Sequence, residues 1–247
     1  MLLKPLVPLL VFAPLAVSQS NSLPGKETLY YSIEWRLFNA GKAKVELAAT
    51  PQPRPGYQVN LHLESTGIVS KLFKVEDDYS GTMNAGFCAQ SLQLTAHEGN
   101  RQRDTRITFD GEAKRASYLE RDLAKNNAVV LSKETEIPPC VHDVVGGLFF
   151  IRTLNLEPGQ STQVPVSDGK KSVMVRVEAQ AREEVKTHAG TFKAIRYEVF
   201  LFDNVLYKRS AHVNLWVSDD RRRLPVQIRV RMAITIGTIT LQLDKHE

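Results

Sequence analysis

Two cysteines and a histidine–aspartate step hold the densest reactive chemistry in this sequence. Cys88 and Cys140 are the chain's two cysteines, and His142-Asp143 follows the second after a single intervening residue. An imidazole beside a thiol can generate a nucleophile. Thiolates with a histidine can ligate zinc, and two thiols in an oxidising compartment form a disulfide. The spacing chooses among these. There is no C-x-x-C redox pair, and a Cys88, Cys140, His142 zinc site lacks a fourth ligand at a usual spacing. A disulfide would also consume the thiol that a Cys–His mechanism needs. A Cys88–Cys140 bridge is therefore expected, closing a loop of about fifty residues and contributing on the order of 4 kcal/mol in the chain-entropy picture. No metal or other cofactor is expected.

The remaining titratable groups form no catalytic constellation. His62 and His97 fall on outward strand faces, His246 lies in the tail, and His188 and His212 stand apart from them. Asp77-Asp78 and Asp219-Asp220 are adjacent pairs, and neighbours in a strand point to opposite faces, which disfavours a shared-proton dyad. G-x-S-x-G, H-E-x-x-H, P-loop and dinucleotide fingerprints are all missing from the sequence. The densest basic cluster is Arg221, Arg222, Arg223, Arg229 and Arg231. It reads either as a solvated turn and edge that resists strand pairing or as a patch for anionic envelope polymers or phospholipid headgroups. The formal charge of +5 is mild for 247 residues, and the basic residues are interspersed with acidic ones. A nucleic-acid partner is not expected.

The first residues have the form of an export signal. Met1 to Lys4 carries one positive charge, Leu6 to Ala16 is apolar, and Ala16-Val17-Ser18 fits a small-x-small cleavage site. That apolar run is shorter than the roughly 20 residues a membrane helix needs, and no later stretch is longer, so no transmembrane span is expected. The reading is residues 1–18 as signal peptide and 19–247 as a single β-rich domain, exported and periplasmic or secreted. Within it, 27–136 and 160–244 could form sub-sheets joined by a helical segment, 137–159.

The elements that must position these residues are mostly strands. Leu29, Tyr31, Ile33, Trp35 and Leu37 alternate against Tyr30, Ser32, Glu34 and Arg36, a period of two. Asn39-Ala40-Gly41 then supplies turn residues before Ala43, Val45 and Leu47 resume, and Asp110-Gly111 signals a two-residue hairpin. Thr66 to Lys74 breaks the period as a short helix or an apolar loop folded over the sheet. Ile137 to Gln160 breaks it more strongly: Pro138-Pro139 ends a strand, and Asp143 can N-cap a helix from Val144 to about Thr153. About a dozen strands and few helices make the fold class mainly β. The expected form is a single large antiparallel curved sheet or a partly closed β-barrel with one or two short helices. The 137–160 segment would plug it, with Phe149, Phe150, Trp35 and Trp216 as plug or ligand-contact residues.

The motifs in this order resemble a bacterial exported family known as domain of unknown function 3108. They are L-x-Y-x-I-x-W with N-A-G (Leu29 to Gly41), I-P-P-x-V-x-D followed by Leu148 and Arg152, the L-x-P-G turn, A-G-T-F-x-A-I (Ala189 to Ile195) and the run from Leu215 to Val226. The resemblance implies an envelope protein and supplies no catalytic residues. The strand grammar is also similar to half-barrel lipoprotein carriers, a likeness of fold alone. The expected function is a non-enzymatic cell-envelope protein that binds a lipid, another apolar or amphipathic ligand, or an envelope protein. A solid-core interaction module is the alternative, and a hydrolase comes third.

Overall fold

The computed structural model describes residues 23–36, 38–51, 53, 55–232 and 237–247. The expected export signal and Leu37 lie outside the described residues. The elements run β1 (Lys26–Trp35), β2 (Phe38–Thr50), β3 (Gly56–Ser65), α1 (Gly67–Leu72), β4 (Val75–Asn84), β5 (Ala89–Glu98), β6 (Arg101–Asp110), β7 (Arg115–Asp122) and β8 (Ala128–Glu136). Then follow α2 (Val144–Thr153), β9 (Ser161–Ser167), β10 (Ser172–Thr187), β11 (Gly190–Val199), β12 (Ala211–Ser218), β13 (Pro225–Met232) and β14 (Thr238–His246). A short 3-10 turn, Leu123–Lys125, joins β7 to β8.

The strands among the described residues form one antiparallel 14-stranded sheet in the order β8-β7-β6-β5-β4-β3-β2-β1-β14-β13-β12-β11-β10-β9. The chain winds outward from β1 to the β8 edge. It then crosses through α2 to the opposite edge, β9, and returns to close β14 on β1. The sheet is not closed, but twist and curl bring its two edges near each other. Gly169, in the β9–β10 turn, is pressed so tightly on Ile107 and Tyr118 that a Cβ there would lie 2.8 Å from the isoleucine. Lys133 Nζ, on β8, donates to the Lys170 carbonyl at 2.6 Å.

Helix α2 lies inside this curl and is apolar around most of its girth, the pattern of a helix with no solvent face. Ile151, Val144 and Leu148 pack on the β9–β12 arm with Val175, Tyr197 and Leu215. Phe149 and Val145 pack on the β2–β5 arm with Leu47, Val59 and Met83. The expected helix limits and N-cap are those observed, and the expected disulfide is present between Cys88 and Cys140.

Two local expectations change. Pairing between β1 and β2 already sets Trp35 opposite Phe38, and Asn39-Ala40-Gly41 lies within β2 as a bulge opposite Ile33/Glu34. Gly41 is needed there for close approach: a Cβ would sit 2.3 Å from the Glu64 carbonyl oxygen. The Asp110-Gly111 hairpin has a longer loop, because Asp110 pairs with Arg115 and its carboxylate caps the Glu112 and Ala113 amides at 3.0 and 2.8 Å. Of the two readings of Thr66 to Lys74, the short helix is the one formed, with Val69 packed on the core and Ile68 and Leu72 exposed.

Candidate functional site

Both ends of α2 are fixed by buried polar groups. At its start, Asp143 Oδ1 accepts from the Val145 and Gly146 amides at 2.9 and 3.0 Å and from the Tyr79 hydroxyl at 2.8 Å. A Cβ on Gly146 would lie 2.7 Å from the Asp143 carboxylate, so the cap itself accounts for that glycine. Just before, the His142 ring stacks on Phe150 and its Nδ1 meets the Phe87 carbonyl at 2.7 Å. The His142 backbone bridges to β9 through Pro165 and Ser167. Burial lowers the His142 pKa, against the opposing pull of the Phe87 carbonyl and Asp143. The disulfide fastens the same end to the β4–β5 turn.

At the other end, Arg152 is fully buried and grips Glu27 with two bonds of 2.6 and 2.9 Å. Arg152 Nε donates to the Arg223 carbonyl, and Arg223 Nε donates back to the Arg152 carbonyl, at 2.7 and 3.0 Å. Arg223 also donates to the Leu154 carbonyl and the Tyr197 hydroxyl. Two buried guanidinium groups thus meet here, and of the two Arg152 holds the Glu27 carboxylate. The second sits on backbone carbonyls at the helix C-terminus, where the macrodipole favours a cation.

Three spaces among the described residues touch α2. One is an apolar cavity of about 90 Å³ between the helix and Leu29, Tyr31, Val45, Leu61, Ile228 and Leu241. A second, of about 20 Å³, lies against the β9–β11 strands. The largest is an amphipathic cleft of about 270 Å³ beside Val144 and Val145. Its wall is Leu92, Leu94 and Ile107, and its rim carries Arg101, Lys170, Tyr118 and Tyr207. The Arg101 and Lys170 side chains are 52% and 44% exposed. The acidic groups nearby are engaged: Asp168 Oδ1 accepts the Lys170 and Lys171 amides at 2.9 and 3.0 Å. Burial alone would raise Glu120, but the Tyr118 hydroxyl and Arg101 outweigh it and hold the carboxyl below its usual value. Burial, then the charges of Asp168 and Asp143, push Tyr207 up to about 12, so its hydroxyl stays protonated. The cleft therefore offers an apolar wall and, at one rim, a protonated hydroxyl with Arg101 and Lys170, which stand beside the carboxylates of Glu98, Glu120 and Asp168.

The residues singled out in the sequence divide. Phe149 lines the apolar cavity and Phe150 stacks on His142. Trp35 and Trp216 are not among the residues lining these spaces. Trp216 lies between Leu215 and Val217, which face the α2 side, so alternation turns it the other way. There it packs with Val185, Phe192 and Leu224 and donates its indole N–H to Glu183. Trp35 sits at the far end of β1 with Arg36 over its ring. The arginine cluster does not form one patch. Arg223 is buried, contrary to its place in an exposed cluster. Arg222 is bound to Asp220 at 2.7 Å, and Arg229 lies over Trp216. Arg229 and Arg231 are also displaced along β13 from exposed Arg221, at about 3.3 Å per residue. The thiols that a zinc or Cys–His site would use are joined to each other.

Two groupings were missed. Arg152, Glu27 and Arg223 come from distant segments, and the only sequence signal was an arginine in an otherwise apolar helix. Ser32, His188 and Asp244 have the composition of a hydrolase triad but not its geometry. Asp244 Oδ1 takes both His188 Nδ1, at 2.6 Å, and the Ser32 hydroxyl, at 2.9 Å. Ser32 Oγ approaches that same Nδ1, at 3.4 Å, not the Nε2 that would have to accept its proton. The arrangement is a turn anchor.

The fold is shared with a β-barrel-like protein of domain of unknown function DUF1849 from Brucella abortus, 8% identical, with a TM-score of 0.57 over 92% of this chain and 98% of that one. A DUF1089 family protein from Pseudomonas aeruginosa aligns over 78% of this chain and 90% of its own at 14% identity and a TM-score of 0.38. No curated protein matches the sequence. Residues 30–244 match the family described as protein of unknown function (DUF3108), which spans nearly the whole sheet and α2 together, and the chain belongs to that family.

Proposed function

We propose that this is a non-enzymatic protein of the cell envelope that holds an amphipathic ligand in the cleft beside α2. The observation that carries the reading is the cleft's polarity. Leu92, Leu94, Ile107, Val144 and Val145 offer contact to an acyl or other apolar chain, while half-exposed Arg101 and Lys170 stand where its anionic end would emerge. The volume lies close to the lower end of the roughly 300–1,000 Å³ typical of ligand pockets, which suits one chain and not a whole diacyl lipid. Location outside the cytoplasm is supported by the disulfide and by the signal-like Met1 to Ser18 sequence.

Native mass spectrometry of the gently extracted protein tests this. The expected spectrum shows an added mass of a single-chain anionic amphipath, lost on collision and absent from a Leu94→Trp variant that fills the cleft. Ligand-free wild type, or a ligand retained by that variant, would overturn the reading. A second reading, a solid interaction module, is favoured by the small size of the two spaces under α2 and by the clamps at its ends. It predicts the ligand-free spectrum.

A further inference from the structure

The end of the sheet at which the cleft opens also carries apolar side chains that the fold leaves uncovered. Register sets Trp35 opposite Phe38, Gly41 opposite Ser65, Glu64 opposite Glu76 and Glu98 opposite Arg101. The β1–β2 turn, α1 and the β5–β6 turn therefore project from one end, which is also the end of cleft residues Arg101 and Lys170. Thr66 ties the first two together. Its amide donates to the Ala40 carbonyl at 2.9 Å, and its hydroxyl donates to the Asn39 side chain at 3.3 Å.

On this tip Phe38 is 67% exposed, Ile68 73%, Leu72 76% and Phe73 53%. Ile68 and Leu72 are four residues apart and share a helix face. Val69 packs against the core, which holds that face outward. Helix α1 buries no residue fully and has no side-chain cap. Nothing in the fold repays the exposure of four large apolar groups, and such contiguous patches mark contact surfaces.

The two segments that form the tip carry cations. Residues 35–45 and 65–75 contain Arg36, Lys42, Lys44, Lys71 and Lys74 and no aspartate or glutamate. Carboxylates flank these segments: Glu34 lies opposite Asn39 and Glu64 opposite Lys42, while Lys44 pairs with Glu46 at 2.8 Å, Lys74 with Glu76 at 2.7 Å, and Arg101 with Glu98 at 2.8 Å. Apolar side chains projecting from a protruding tip, whose turn and helix carry Arg36 and Lys71, complement a continuous anionic surface with an apolar layer beneath it.

We propose that Phe38, Ile68, Leu72 and Phe73 dock this protein on the surface of an anionic lipid bilayer, with Lys71 and its basic neighbours among the headgroups. The proposal does not depend on what the cleft holds. Docking in this orientation would, in addition, turn the cleft mouth toward the lipid.

Co-sedimentation of the purified protein with vesicles tests it. Wild type should partition onto phosphatidylglycerol–phosphatidylethanolamine vesicles, weakly onto phosphatidylcholine alone, and less as salt rises. The Ile68→Ser, Leu72→Ser, Phe73→Ser triple variant should lose about a hundredfold in partitioning, and Lys71→Gln about fivefold, with melting temperature unchanged. Should the triple variant fail to fold, Phe38→Ser alone should show about a tenfold loss. The proposal is overturned if wild type stays in the supernatant with anionic vesicles, or if the serine variants partition as wild type does. It is equally overturned if wild type is an oligomer that these substitutions dissolve, which would make the tip a contact between copies. Retained cleft ligand in a variant that no longer sediments would separate this site from the cleft.

Discussion

The two α-helices among the described residues are opposites. Helix α2 is apolar nearly all round and hides that surface in the curl of the sheet, with Asp143 and Tyr79 fixing its first turn and Arg152, Glu27 and Arg223 fixing its last. Helix α1 is also apolar, yet it keeps Ile68 and Leu72 in solvent and ends without a side-chain cap. Hydrophobic burial pays for the first helix and not for the second. A short helix is marginal without tertiary packing, so α1 persists through Val69 and the Thr66 hydrogen bonds, and its outward face contributes little to folding. The difference separates a fold-making element from a contact-making one.

The largest effect should come from breaking the buried clamp. Glu27→Ala leaves Arg152 charged, buried and without its carboxylate, and should cost about 3–5 kcal/mol, read by chemical denaturation. If that loss were under about 1 kcal/mol, the clamp would not hold α2. Cys140→Ser should cost about 3 kcal/mol while leaving cleft binding intact; lost binding at unchanged stability would assign the bridge a different role. Asp143→Ala removes the cap and strands the Tyr79 hydroxyl, for about 1–2 kcal/mol.

A pH effect comes next. Burial lowers the folded-state pKa of His142, so as pH falls the unfolded chain takes up this proton first. The contribution is therefore present above about pH 6.5 and is lost as pH falls toward the lowered value. The stability of His142→Gln should fall less steeply between pH 6.5 and 5, measured by denaturant midpoints at each pH. Least of all, Ile68→Ser and Leu72→Ser should each change stability by under about 0.5 kcal/mol. A larger loss would mean that α1 is packed and the contrast is false.

The strands were legible because alternation records a half-buried face directly: Leu29, Tyr31 and Ile33 are all buried as their spacing implied. Helix α2 was legible for a different reason, since Asp143 stands in front of an apolar run and can satisfy its first amides. The turns were read less well. Ala40-Gly41 has turn chemistry but serves a bulge, because Gly41 must let the Glu64 carbonyl approach. The arginines were the hardest. Nothing local distinguishes buried Arg223 from its exposed neighbours Arg221 and Arg222, and only the arrival of α2 from seventy residues away gives it partners. The cleft was invisible for the same reason, since Leu94, Val145 and Lys170 meet only when the sheet curls.

The contrast between the helices is most directly tested by hydrogen–deuterium exchange with and without anionic vesicles. The account predicts that the amides of α2, beyond its first turn, stay protected to near the global unfolding limit in both conditions. Those of α1 should exchange freely in solution and slow when vesicles are added. Rapid exchange in α2, or an α1 whose exchange ignores the vesicles, would contradict it.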